Sequence, residues 1–200
     1  MADGPTRWLA DDDEPKPAPD ALARIQALVN TVELPSGPDR LADPADARPW
    51  LVDQRVLAPH AELESTDLEL VRGVREALRA LLVRNAGGPS PSTEVLAPLR
   101  TVAANGTARA DFDADGHVRL EASGDSVSER LVELLLVVRD AQHDGSWARL
   151  KACANDECQW AFFDRSRNHG GTWCQMSTCG NKLKNRELRA RQKAAGGAVR

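Results

Sequence analysis

Short apolar stripes at helical spacing, separated by polar breaks rich in Gly and Pro, run through most of the chain. Leu22, Ile25, Leu28 and Val29 fall on one face of a helix over 21–29, with Asp20 placed to cap its start. Asp43-Pro44 is a second start signal, a capping carboxylate followed by Pro at the first helical position, with Trp50, Leu51 and Val52 behind it. The longest stripe, Leu70, Val71, Val74, Ala77, Leu78, Leu81 and Leu82, opens at Thr66 with Glu69 completing a capping box, and Gly87-Gly88-Pro89 stops it. Val95, Leu96, Leu99 and Val102 predict a shorter helix whose Pro98 lies in the first turn or kinks it. Ser126 and Glu129 form another capping box ahead of Val127, Leu131, Leu134, Leu135 and Val138, and Gly145 ends that helix.

Between the last two helices the apolar period drops to two. Ala110, Phe112, Val118 and Leu120 alternate with polar residues around Asp115-Gly116, a strong hairpin signal. Nothing alternates strand and helix as a parallel sheet requires. The predicted fold is therefore mainly α (α+β): a helical N-terminal domain over 20–147 with one small β-hairpin, followed by a small module over 148–193. Residues 1–19 carry Asp11-Asp12-Asp13-Glu14 and then Pro15, Pro17 and Pro19, which reads as a flexible acidic arm, and 194–200 reads as a flexible tail.

Charge separates the two modules. The last fifty residues hold ten Lys and Arg against four Asp and Glu, a balance of +6, which leaves −10 for the rest of a chain whose formal total is −4. A basic block of this kind suits a polyanion. The longest uncharged apolar run, Leu134 to Val138, is far short of the roughly 20 residues that cross a bilayer. With no membrane span and no secretory start, a cytoplasmic location is expected.

All four cysteines cluster near the C-terminal end, as Cys153-x4-Cys158 and Cys174-x4-Cys179. In a reducing compartment two such pairs point to a metal site rather than disulfides. Four converging thiolates give a closed tetrahedral set that suits one structural zinc and leaves no position for a catalytic water. An iron–sulfur cluster also accepts four thiolates. The segment between the pairs, with Trp160, Phe162, Phe163 and Trp173 around a polar turn, predicts two short strands joined by a loop. Its rings serve either as a mini-core around the metal or as stacking platforms for bases. The small module is expected to fold only with metal bound.

After Cys179, Lys182, Arg186, Arg189 and Lys193 sit at i, i+4, i+7 and i+11, so a C-terminal helix would present one basic stripe, with Lys184 and Arg191 beside it. Arg165 and Arg167 lie in the loop between the cysteine pairs. A stripe of this kind matches a row of phosphates, and a solvated helix end is the plainer alternative.

Three stretches, Phe163-Asp164-Arg165-Ser166-Arg167-Asn168, Trp173-Cys174 with Met176, and Cys179-Gly180-Asn181-Lys182, closely resemble the CGNR zinc-finger family of bacterial proteins. Lys182 replaces the arginine of the family's name, which keeps the charge and loses the planar fork. In that family the finger follows a helical domain called ABATE, whose opening Val29-Asn30-Thr31, Asp39-Arg40-Leu41 and Trp50-Leu51 resemble. The resemblance implies a transcription regulator with a DNA-binding finger, and it places Cys153, Cys158, Cys174 and Cys179 on the family's ligand positions. On this reading Lys182, Lys184, Arg186, Arg189, Arg191 and Lys193 contact DNA with help from Arg165 and Arg167, while the helical domain senses a small effector or forms a homodimer. The rival expectation is a zinc-dependent adaptor whose basic helix docks an acidic protein.

Other signals fail. Asp111, Asp113, Asp115 and Gly116 begin like a calcium loop, but position 12 is Ala122 and the context is strand. His60, His117, His143 and His169 are dispersed, and neither GxxxxGK[ST] nor GxGxxG occurs, so no enzymatic activity is expected.

Overall fold

The computed structural model describes residues 14–182 and Asn185. Its helices are α1 (Leu22–Val29), α2 (Pro44–Asp53), α3 (Ser65–Asn85), α4 (Ala97–Asn105) and α5 (Val127–His143). A ribbon of β1 (Thr107–Phe112) and β2 (Val118–Ser123) lies between α4 and α5. After α5 come a 3₁₀ turn (Ser146–Arg149), strands β3 (Leu150–Ala152) and β4 (Ala161–Phe163), and a π-helical turn (Met176–Gly180). The mainly helical α+β architecture matches the expectation.

Helix α3 forms the axis of the core. It buries Leu68, Val71, Val74, Ala77, Leu78 and Leu82 along one stripe, and it touches α1, α4, α5 and β3. Asp43 caps α2 as expected, accepting from Ala45 N at 2.7 Å, and Ser126 and Glu129 cap each other's backbone at α5. Two expected caps are displaced. At α3 the box sits two residues earlier, with Glu64 N donating to Asp67 Oδ2 at 3.2 Å. At α1 Asp20 makes no cap: its φ of 48° turns the chain into the helix, and Ala21 takes the N-cap position.

The β1–β2 ribbon is antiparallel in the expected register, pairing Phe112 with Val118 across the turn. Half-burial of its alternating face does not follow. The ribbon meets the core at Ala122, while Phe112 and Val118 project past it at 71% and 62% exposure. Asp113 explains the calcium-like sequence, since its carboxylate accepts from Asp115 N, His117 N and Arg119 Nε and so builds the turn.

The last six residues of the segment expected to be a free arm are seated on the molecule. Lys16 O accepts from Phe163 N at 3.0 Å, and Gln26, only 3% exposed, spends its amide on this strap by accepting from Ala18 N at 2.6 Å. The reason is polar satisfaction, because a buried glutamine amide needs partners that α1 itself cannot provide.

Candidate metal centre

Strands β3 and β4 pair antiparallel, Leu150 with Phe163 and Ala152 with Ala161. Both strands are wholly buried, one face of the hairpin being apolar and the other carrying Phe162 beside the ion-paired Lys151. Leu150, Ala152, Ala161 and Phe163 complete the core of the helical domain. Phe162, fully buried, packs instead with Cys153, Cys174 and Cys179, and Cys158, Trp160 and Trp173 close around them. Three of the four aromatics thus form the mini-core and Phe163 joins the larger one.

The hairpin was expected between the cysteine pairs. It brackets the first pair instead. Cys153 and Cys158 sit in the β3–β4 turn, where Cys153 N donates to Trp160 O at 2.9 Å, and both Cys158 N and Gln159 N reach Asn155 O. Gln159 takes a φ of 47° to close this turn. The second pair arrives on the returning loop, fastened by Ala154 N to Thr172 O at 3.0 Å, with Cys179 in the π-helical turn. The correction has a simple cause: the second edge of β4 is already taken, by Asn30 on both backbone groups of Ala161 and by Lys16 O on Phe163 N, so no strand after the loop can pair there.

All four Sγ atoms lie within 4.8 Å of one another. Cys158 to Cys174 is 3.8 Å and Cys174 to Cys179 is 3.7 Å. A tetrahedral ZnS4 unit with Zn–S of about 2.3 Å has edges of about 3.8 Å, whereas a disulfide needs about 2.05 Å. The separations therefore fit an ion and exclude covalent pairing. Left alone, the thiols cannot all ionise. Hydrogen bonds from Cys158 and Cys174 hold the Cys153 thiol low, and donating to Cys153 pushes both of them up. Only a cation lets four thiolates share this space. Supporting donors are in place, with Asn155 Nδ2 at 3.7 Å from Cys179 Sγ and backbone N–H groups of Asn155 and Cys174 on the Cys153 sulfur.

The intervening loop is held by an ion pair that sequence reasoning missed. Lys151 Nζ lies 2.8 Å from Asp164 Oδ2, with side chains 7% and 3% exposed. Asp164 also accepts from Ser166 N, Ser166 Oγ and Gly171 N, and Lys151 donates to His169 O at 2.5 Å. Burial favours the neutral carboxyl, but the ammonium and these donors override it and hold Asp164 well below the usual carboxylate range. Gly171 is required by this contact, since a Cβ there would stand 2.6 Å from the Asp164 carboxylate. Asp164 was visible in the motif Phe163–Asn168, and Lys151 had no signal beyond its place two residues before Cys153.

With the site in view, comparison with known families is decisive. A family model named ABATE, described as "Putative stress-induced transcription regulator", matches residues 22–143. The chain belongs to the ABATE family. The CGNR zinc finger model matches residues 149–192, so the ABATE domain and the finger follow in the expected order. No curated protein matches. Four converging cysteines in a CGNR finger hold one structural zinc, through Cys153, Cys158, Cys174 and Cys179.

Of the expected DNA contacts, Arg165, Arg167 and Lys182 are exposed. Arg165 donates to Pro17 O at 3.1 Å on the strap. Lys184, Arg186, Arg189, Arg191 and Lys193 lie outside the described residues. The ABATE opening motif has structural work of its own. Asn30 accepts from Ala161 N at 2.7 Å and donates to Ala161 O at 3.0 Å, tying α1 to the finger. Asp39 takes a two-pronged bond from buried Arg75. No described helix is long and apolar enough to cross a membrane.

Proposed function

We propose that this protein is a non-catalytic, DNA-binding transcription regulator in which the zinc finger presents cations to the phosphate backbone and the ABATE domain senses an effector or mediates dimerisation. One observation carries the reading. Cys179 is a buried ligand within the π-helical turn, and Lys182, exposed three residues later, begins the basic C-terminal segment. The zinc thus fixes the root of the segment that carries Lys184, Arg186, Arg189, Arg191 and Lys193. The loop cations Arg165 and Arg167 are fixed by the same finger, through the Lys151–Asp164 pair. Phosphate contacts supply affinity more than sequence choice.

The test is a fluorescence titration of zinc-loaded protein against random duplex DNA at several salt concentrations, with a chelated control. Binding that weakens steeply with salt is expected, with a slope shallower by about two in Arg186→Ala/Arg189→Ala, one unit per lost phosphate contact. An unchanged slope overturns the basic segment as the contact surface.

A second reading, the finger as a protein-docking module, is favoured by the strap. Residues 14–19 already dock on the finger, with Lys16 Nζ 2.5 Å from Trp173 O and Arg165 on Pro17 O. Removing residues 1–13 decides between an arm that masks the cations and one that does not: masking gives tighter DNA binding after removal.

A further inference from the structure

Helix α1 has two useful faces. Leu22, Ile25, Leu28 and Val29 enter the core. Ala23, Gln26, Ala27 and Asn30, again at i, i+3, i+4 and i+7, line a cavity of about 290 Å³. Its other walls come from three places: the strap at Glu14, Pro17 and Ala18, the ABATE residues Arg40 and Trp50, and Trp160 of the finger. The volume lies at the small end of the range for small-molecule sites, about 300–1,000 Å³.

The chemistry of the lining selects a ligand class. The polar atoms of the floor are committed to the protein. Gln26 serves Ala18 N, Lys16 O and Ala161 O, and Asn30 serves Ala161 and Glu14. The floor therefore offers a ligand only the methyl groups of Ala23 and Ala27. The walls offer two indoles. Trp160 is fixed there because its Nε1 donates to Glu14 Oε1 at 3.0 Å, which presents the ring, while Glu14 itself is engaged by this bond and by Asn30 Nδ2. Among the described lining residues Arg40 is the one cation. Burial presses its guanidinium below the usual range against the pull of Asp53, so a further anion nearby is welcome. A guanidinium has five N–H donors and can take a ligand carboxylate beside the contacts it already makes.

We propose that this cavity is a binding site for a small aromatic carboxylate, its ring between the Trp50 and Trp160 walls and its acid on Arg40. The site deepens the effector-sensing part of the reading above. It also gives that reading a structural route, because a molecule seated here touches the ABATE domain, the strap and the finger together.

The test uses the zinc-loaded full chain without DNA, so it fails independently of any DNA-binding result. Benzoate, phenylacetate and indole-3-acetate are titrated by calorimetry beside the corresponding neutral amides. The expected result is saturable binding of at least one acid at one per chain, at least tenfold tighter than its amide. Arg40→Met should bring the acid down to the level of the amide, and Arg40→Lys should retain part of the preference. Zinc content and melting temperature report that each variant is folded. No saturable binding of any of the three acids, or equal binding of acid and amide in the unmodified protein, overturns the proposal, and the second criterion needs no variant at all. Trp50→Ala is expected to weaken acid and amide alike, and an unchanged affinity there removes the ring from this cavity.

Discussion

Lys151→Met is the most informative single perturbation of the finger. It keeps the length and apolar stem of the side chain and deletes the ammonium, so Asp164 stays 3% exposed with its cation gone and only Ser166 and Gly171 donating. Removing one partner of a buried ion pair costs about 3–5 kcal/mol, because an uncompensated charge remains. In a chain of this size each kcal/mol moves the melting temperature by roughly 2–4 °C, so a fall of roughly 6–20 °C is expected by circular dichroism of the zinc-loaded protein. Adding Asp164→Asn removes the stranded charge and keeps an acceptor for the Ser166 and Gly171 donors. The double variant should therefore be more stable than Lys151→Met alone, a non-additivity of about 1 kcal/mol or more. The pH dependence has a definite sign. The folded protein holds Asp164 below its unfolded range near 3.9, so the contribution is complete above about pH 4 and fades as pH falls through the lowered value. Without the ammonium, burial raises the same carboxyl, so the deficit of Lys151→Met should shrink as the solution is acidified. A loss below about 1 kcal/mol, or a double variant that is simply additive, would refute the pair as the clamp of this loop.

Chelation, or Cys174→Ser, should release the finger's zinc and collapse the near-ultraviolet signal of Trp160 and Trp173 while leaving the far-ultraviolet helical signal largely intact, since β3 and β4 belong to the larger core. Acidification should release the same ion, because protons compete for four thiolates, and elemental analysis after dialysis checks both. Asn30→Ala strands the N–H of Ala161, whose C=O keeps Gln26 as a donor, at about 1–3 kcal/mol, and should accelerate amide exchange at Ala161. Gly171→Ala pushes a methyl onto the Asp164 carboxylate and should cost about 1–3 kcal/mol by urea unfolding, whereas Gly170→Ala, whose nearest side-chain atom is 3.4 Å away, should be mild.

The parts legible in the sequence are those written in local spacing. The stripe of α3, the Asp43 and Ser126 caps, the Asp115-Gly116 hairpin and each of the two cysteine pairs rest on local spacing. What stayed hidden depends on partners far apart in sequence. No local rule says that Lys16 faces Phe162, with its ammonium 4.7 Å from the ring, or that the first cysteine pair lies inside a hairpin rather than before one. The exposed Phe112 is the converse case: its alternation is that of a half-buried strand, but a ribbon longer than the surface beneath it leaves its tip in water.

The finger was expected to fold only with metal bound, because the segment is too short for a core of its own. The packing gives a different account. Strand β4 has β3 on one edge, and its other edge is closed by groups from outside the finger: Asn30 holds both backbone groups of Ala161, and Lys16 O takes Phe163 N. An edge strand closed in this way cannot slip by a residue without breaking all three bonds. Arg79 adds a fourth tie, its guanidinium bridging Val29 O at the end of α1 and Gln159 O beside the cysteine turn. These bonds fix register as well as proximity, so α1 cannot shift relative to the hairpin unless it carries β4 along or gives up buried hydrogen bonds worth about 1–3 kcal/mol each. The zinc site and the ABATE domain are consequently one mechanical unit, and a change that moves α1 reaches Cys158 and Cys153 through the strand that the turn between them closes.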